Sequence, residues 1–111
     1  MGKQVAVPAY IPQNVYWAQF AESPRYLYYV CGRGIVIRVN RKNMRTQRIK
    51  PHLLGGNAMI YAAGKAYALK HLVAREFLPY QVGSRVICRD GNPLRCDAQN
   101  LKVLTMRSKR R

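Results

Sequence analysis

The chain is 111 residues long, one domain's worth, with room for a single modest core. An apolar share of 49% excludes a disordered basic tail, and no run of about 18 apolar residues exists to span a membrane. Twenty Lys and Arg stand against four acids, Glu22, Glu76, Asp90 and Asp97, and the resulting +16 calls for a polyanionic partner, nucleic acid before an anionic membrane surface.

The first 24 residues hold Pro8, Pro12 and Pro24 with Tyr10, Tyr16, Trp17 and Phe20 between them. Prolines at that density forbid a long helix. Asn14–Ala21 is expected to make one or two helical turns that plug Trp17 and Phe20 into the core, and residues 1–25 to form an arm packed across the domain. Residues 26–106 are expected to be the domain itself, without internal repeat or boundary, and 107–111 a basic tail.

Tyr26–Val30 and Ile35–Val39 read as a hairpin around Cys31-Gly32-Arg33-Gly34. In its second strand Ile35, Ile37 and Val39 alternate with Val36, Arg38 and Asn40, which predicts one buried face and one mixed, basic face. Arg38, Arg41, Lys42, Arg45, Arg48 and Lys50 follow one another with no intervening acid. Gln47–Lys50 reads as a short strand closed by Pro51. Asn57–Ala62 and Lys65–Leu69 read as a second hairpin turning on Ala63-Gly64. A helix is predicted from about His71 to Phe77, with Leu72, Val73 and Phe77 on one side and Pro79 as its stop. Val82–Arg89 and Leu101–Thr105 read as strands flanking the turn Asp90-Gly91-Asn92-Pro93 and a polar connection, Asp97–Asn100. The fold class is therefore α+β: a small antiparallel sheet and hairpins with one short helix.

Cys31, Cys88 and Cys96 are too few and too irregular for a disulfide framework, and no CxxC pair gives zinc spacing. A site from Cys88, Cys96 and His52 or His71 is conceivable, but small buried thiols are the expectation. The N-terminal stretch lacks a signal-peptide layout, so a cytosolic location is expected.

Four segments, in order, carry a resemblance: YYVCGRGIVIRV at 28–39, IKPHL at 49–53, GKAYALKHLVAREFLP at 64–79 and VICRDGNPLRCDAQNLKVLT at 86–105. Together they resemble the HNH endonucleases of phage and intron homing type, with the small β-rich segment that commonly precedes the HNH module. The resemblance implies a ββα-metal-type hairpin at the end of the chain, here lacking most of its final helix. It also implies DNA as substrate and hydrolysis with one divalent metal, Mg2+ or Mn2+. In that chemistry a histidine activates water and polar side chains hold the metal. The family's histidine falls at Cys88 and the ligand before it at Ile87. The central Asn is kept as Asn100, and Lys109 or a neighbour takes the last ligand's place. Ile cannot bind a hard cation, and a thiol is a poor base toward water.

The expected function is a double-stranded DNA-binding protein on a catalytically inactive HNH scaffold, needing no cofactor, of the phage or mobile-element regulator kind. Arg38, Arg41, Lys42, Arg45, Arg48 and Lys50 are the expected phosphate contacts, with Arg89 and Arg95 beside the vestigial positions Ile87, Cys88 and Asn100. A metal site rebuilt from Asp90, Asp97 and Asn100 would make the protein a nicking endonuclease instead. The charge alone would also fit a small RNA-binding or ribosome-associated protein. So small a domain often works as a homodimer or beside a protein partner, but no dimer seam is legible.

Overall fold

The structure, a computed structural model, describes residues 15–104. The expected tail 107–111, with Lys109, and the segment holding Pro8, Tyr10 and Pro12 lie outside the described residues. What is described is an α+β fold of three small antiparallel sheets around one helix.

The first sheet has strands β1 (Trp17–Glu22), β2 (Tyr26–Cys31), β3 (Val36–Asn40) and β4 (Thr46–Ile49), side by side in chain order. The helical turns expected over Asn14–Ala21 are absent: from Trp17 onward the chain is β1, paired antiparallel to β2 with a bulge at Phe20. The pairing satisfies the backbone groups of β1 that face β2, whereas a lone helix of that length is marginal in water. Phe20 still reaches the core, meeting Tyr28 at 6.2 Å and Tyr67 of the second sheet edge-on at 5.2 Å.

The second sheet comprises β5 (His52–Leu54), β6 (Asn57–Ala62) and β7 (Lys65–Ala68). Its β6–β7 hairpin turns at Ala63-Gly64, as expected. Strand β5 was not expected, and it joins β6 through Gly55-Gly56, both at positive φ, 61° and 82°. Such two-residue turns match the twist of the strands they join.

Helix α1 (Leu69–Phe77) starts directly from β7, two residues before the predicted start, because Leu69 is itself a core residue. Nine residues make a marginal helix in water, so packing holds it. Leu69, Leu72, Val73 and Ala74 are buried against all three sheets. Pro79 follows the C-cap Leu78, whose N–H still donates to the Ala74 carbonyl. Beyond it, β8 (Arg85–Cys88) pairs with β9 (Leu101–Leu104), and a single helical turn at Ala98–Asn100 precedes β9. Strand β8 begins three residues later than expected, since Gln81–Ser84 forms a turn closed by the Ser84 N–H on the Gln81 carbonyl at 3.0 Å.

Two contacts fasten the first sheet to this last hairpin. The Ala98 N–H donates to the Gly32 carbonyl at 2.7 Å. Gly34, at φ +79°, lies so close to the Cys96 and Asp97 backbones that a Cβ would sit 2.9 Å from the Cys96 carbonyl carbon. We predict that Gly34→Ala costs about 2–4 kcal/mol, from the left-handed backbone and the steric clash together. Gly55→Ala, left-handed but in open space, costs about 1–2 kcal/mol. Chemical denaturation of the two variants checks this, and equal losses would mean that the close approach is not a constraint.

Candidate nucleic-acid interface

The second strand of the first hairpin does not present a free basic face. Ile37 and Val39 are buried as predicted, but Val36 on the other face is buried too, in the main core cluster. Arg38 lies farther along that inner face. Its guanidinium donates to Gln47 Oε1 from Nε at 2.9 Å and from Nη2 at 2.7 Å, and sits 4.2 Å from the Tyr26 ring centroid. Arg38 is thus tied across β3 and β4 through Gln47.

The other expected cations separate into two groups. The first lies on the β3–β4 loop. Asn40 Oδ1 accepts from the Lys42 and Asn43 N–H groups at 2.8 and 3.2 Å, and Asn43 Oδ1 from the Arg45 N–H at 2.9 Å. These side-chain turns hold Lys42 and Arg45 exposed on a fixed backbone. Arg41 braces the loop, donating to the Ser23 carbonyl at 3.1 Å with Glu22 3.9 Å away. Arg25, not singled out from sequence, lines a recess with Tyr26, Asn40 and Lys42.

The second group lines a groove of about 530 Å³ between the first sheet and the last hairpin. Arg33, Arg48 and Lys50 come from the sheet side, Arg95 and Asp97 from the loop before β9. Arg48 and Lys50 were expected in an interface. Arg33 was not, although a residue between the glycines of a hairpin turn has little choice but to be exposed. Arg89 is exposed at the end of β8 and lines neither site.

The loop between β8 and β9 is closed by side chains. Asp90 Oδ1 accepts from the Asn92 N–H at 2.8 Å and from the Asn100 amide at 3.0 Å, and Oδ2 from Arg95 Nη1 at 2.7 Å. Asn100, buried, also donates to the Arg95 carbonyl at 2.7 Å. The Asn92 N–H, the Asn100 amide and the Arg95 guanidinium hold the Asp90 carboxyl below the usual carboxylate range. As arranged, Asp90 is engaged by three donors, and one of them is a guanidinium whose positive charge opposes a second cation beside it. Among the described residues no three His, Cys, Asp or Glu gather together. Ile87 and Cys88 are half-buried in β8, with Cys88 against the core. Burial, with Cys88 beside it, pushes the Cys96 thiol up to about 12, so it is protonated at neutral pH. His71 takes no part in this loop: its Nδ1 lies 3.3 Å from the Tyr80 hydroxyl.

Taken together, the antiparallel strands, the short helix and the closing hairpin form an HNH-like scaffold. Among solved structures the chain is similar to the HNH homing endonuclease I-HmuI, determined in work on that enzyme's DNA binding and cleavage. The TM-score is 0.54 and the identity 26%, over 70% of this chain. The match spans 46% of the endonuclease chain, so less than half of that protein has a counterpart here. No family model and no curated protein matches the sequence.

Two predictions follow from the loop and from α1. Asn100→Ala removes two hydrogen bonds and orphans the Arg95 carbonyl, for a loss of about 1–3 kcal/mol by denaturant titration; an unchanged midpoint would show the loop to be held elsewhere. His71 is less basic than free histidine, chiefly through burial and then through Lys70 and Arg75. Its unfolded form therefore takes a proton first. Stability is full above about pH 6.5 and declines as pH falls below it. The melting temperature between pH 7 and pH 5 falls less in His71→Gln than in the wild type.

Proposed function

We propose that this chain binds double-stranded DNA on an HNH-like scaffold and does not cut it. The observation that supports this most directly is the division of labour among the arginines. Arg95 neutralises Asp90 inside the loop where the resemblance places the metal, while Lys42, Arg45, Arg48 and Lys50 stand exposed outside it. A side-chain cation in that loop stabilises Asp90 without organising a nucleophile. Exposed cations on a pinned loop do what a binding surface requires. The similar endonuclease binds DNA, and duplex DNA is accordingly the partner proposed.

The proposed contact is a β-ribbon mode. The β3–β4 hairpin forms one edge of the four-stranded sheet, and its loop and edge strand are the parts offered to a major groove about 12 Å wide. Lys42 and Arg45 at its tip reach phosphates or base edges. Arg48 on β4 and Lys50 just after it follow the backbone. No acid occurs in the sequence between Glu22 and Glu76, so the β3–β4 hairpin and the second sheet contribute no carboxylate of their own, and Glu22 beside Arg41 and Asp97 in the groove are the acids near them. A role in phage or mobile-element regulation is the setting proposed for such a binder.

The alternative, a metal-dependent nicking enzyme, draws on the Asp90 and Asn100 side chains lying 3.0 Å apart. One preparation separates the two. With about six phosphates neutralised, log K for duplex falls with log salt at a slope of about −5. Lys42→Ala and Arg45→Ala each reduce the slope by about 1. Supercoiled plasmid stays intact with Mg2+ or Mn2+. Nicking that Asn100→Ala abolishes would overturn the non-cutting proposal. Tighter binding to structured RNA than to duplex at equal salt would move the partner from DNA to RNA.

A further inference from the structure

The groove between the first sheet and the last hairpin shares Arg48 and Lys50 with the proposed duplex contact, but its Arg33 and Arg95 have no part in that contact. Its shape and its neighbour give it a separate use. Four cations, Arg33, Arg48, Lys50 and Arg95, line it with one carboxylate, Asp97, and even with Arg95 paired to Asp90 the groove keeps a net positive charge. At about 530 Å³ it is the size of a small-ligand pocket, far too small for a duplex and suited to a short piece of one strand. Its floor is fixed by the Gly34–Cys96 approach and the Ala98–Gly32 hydrogen bond, so it does not open by a simple hinge between the two walls.

Lys50 and Pro51 line this groove, and the next residue, His52, opens β5. The His52 ring is stacked on Tyr61 of β6, centroids 4.9 Å apart and planes inclined by 17°. Both residues are exposed, Tyr61 by 52%. Neither ring is in the core. It is a short π-surface on the outer face of the second sheet, one residue along the chain from the groove wall. A cationic track for a sugar-phosphate backbone leading to stacked aromatic rings is the arrangement that receives unpaired bases. Paired bases in an intact duplex are already covered on both faces and gain nothing from it.

We propose that the groove and the His52–Tyr61 stack form a site for an unpaired DNA strand. The phosphates lie among Arg33, Arg48, Lys50 and Arg95, and a base extends the ring stack. The proposal rests on the DNA-binding reading and deepens it: the preferred ligand is duplex with an adjoining single-stranded segment, rather than intact duplex.

The test is fluorescence anisotropy at one salt concentration. It compares an intact duplex with a duplex carrying a short unpaired extension, matched in number of phosphates. The extension is expected to tighten binding about tenfold for each base stacked. Tyr61→Ala removes that gain and leaves the intact duplex bound as before, while Tyr61→Phe keeps it. Arg33→Ala weakens the extended substrate more than the intact one. If the extension adds nothing over the matched duplex, or if Tyr61→Ala leaves the gain untouched, the unpaired-strand site is wrong and duplex binding stands. If neither substrate binds at low salt, the DNA-binding reading falls with it. Binding of the extended substrate alone would leave this site as the protein's main nucleic-acid contact.

Discussion

The contact on which the arrangement depends is the one between the turn of the first hairpin and the chain that leads into β9. Gly34 has no Cβ, and for that reason the Cys96 backbone can lie against it. The Ala98 N–H then reaches the Gly32 carbonyl. Residues more than sixty positions apart become one rigid seam. Without it the first sheet and the last hairpin would each pack on α1 independently, and the cations on the two sides would face no common space. With it, Arg33 and Arg48 stand opposite Arg95. A backbone approach that only glycine permits thus sets the electrostatics of the groove.

Like charges gathered this way oppose the fold that gathers them. Among the described residues two ion pairs offset them, Arg41 with Glu22 and Arg95 with Asp90, the first largely exposed and therefore weak. The opposing stability comes from elsewhere: Leu69, Leu72 and Val73 on α1, Val30 and Val36 on the first sheet, Ile60 on the second and Leu101 on β9, all almost fully buried. Burying each large side chain contributes on the order of 1.5–3 kcal/mol. The core carries the repulsion, and a bound polyanion would relieve it. Coupled stability and binding of this kind follow from the charge distribution rather than from any one contact.

How much of this was legible in the sequence varied with how local the cause was. The β6–β7 hairpin and α1 could be read because Gly64, the alternation of Ala58, Ile60 and Ala62, and the spacing of Leu72 and Val73 are local signals. Strand β1 could not, since its six residues become a strand only by pairing with β2, and the prolines before it pointed elsewhere. The Gly55-Gly56 turn was a missed signal for β5. The surroundings of Arg38 were not legible for a different reason: period-two alternation separates two faces but does not say that Val36 on the second face is buried or that Arg38 is bonded to Gln47. The order of segments gave the HNH-like scaffold, because that information is spread along the chain. The groove is spread across it, and Arg33 and Arg25 join their neighbours only through space.

Arg95 ties these levels together. Its guanidinium holds Asp90 Oδ2 at 2.7 Å, its carbonyl accepts from Asn100, and its side chain lines the groove. A guanidinium has five N–H donors, and Asp90 engages one. The remaining donors are free to meet a phosphate without releasing the carboxylate. Their fixed geometry is the one that suits phosphate oxygens, as a lysine's would not. Holding Asp90 also restricts the rotamers of Arg95, so less side-chain freedom is lost when an anion arrives. On the proposed reading, the hydrogen bonds that close the loop are not simply what remains of a cutting site. They orient a cation toward the strand, and loop closure and nucleic-acid binding become two consequences of one side chain's position.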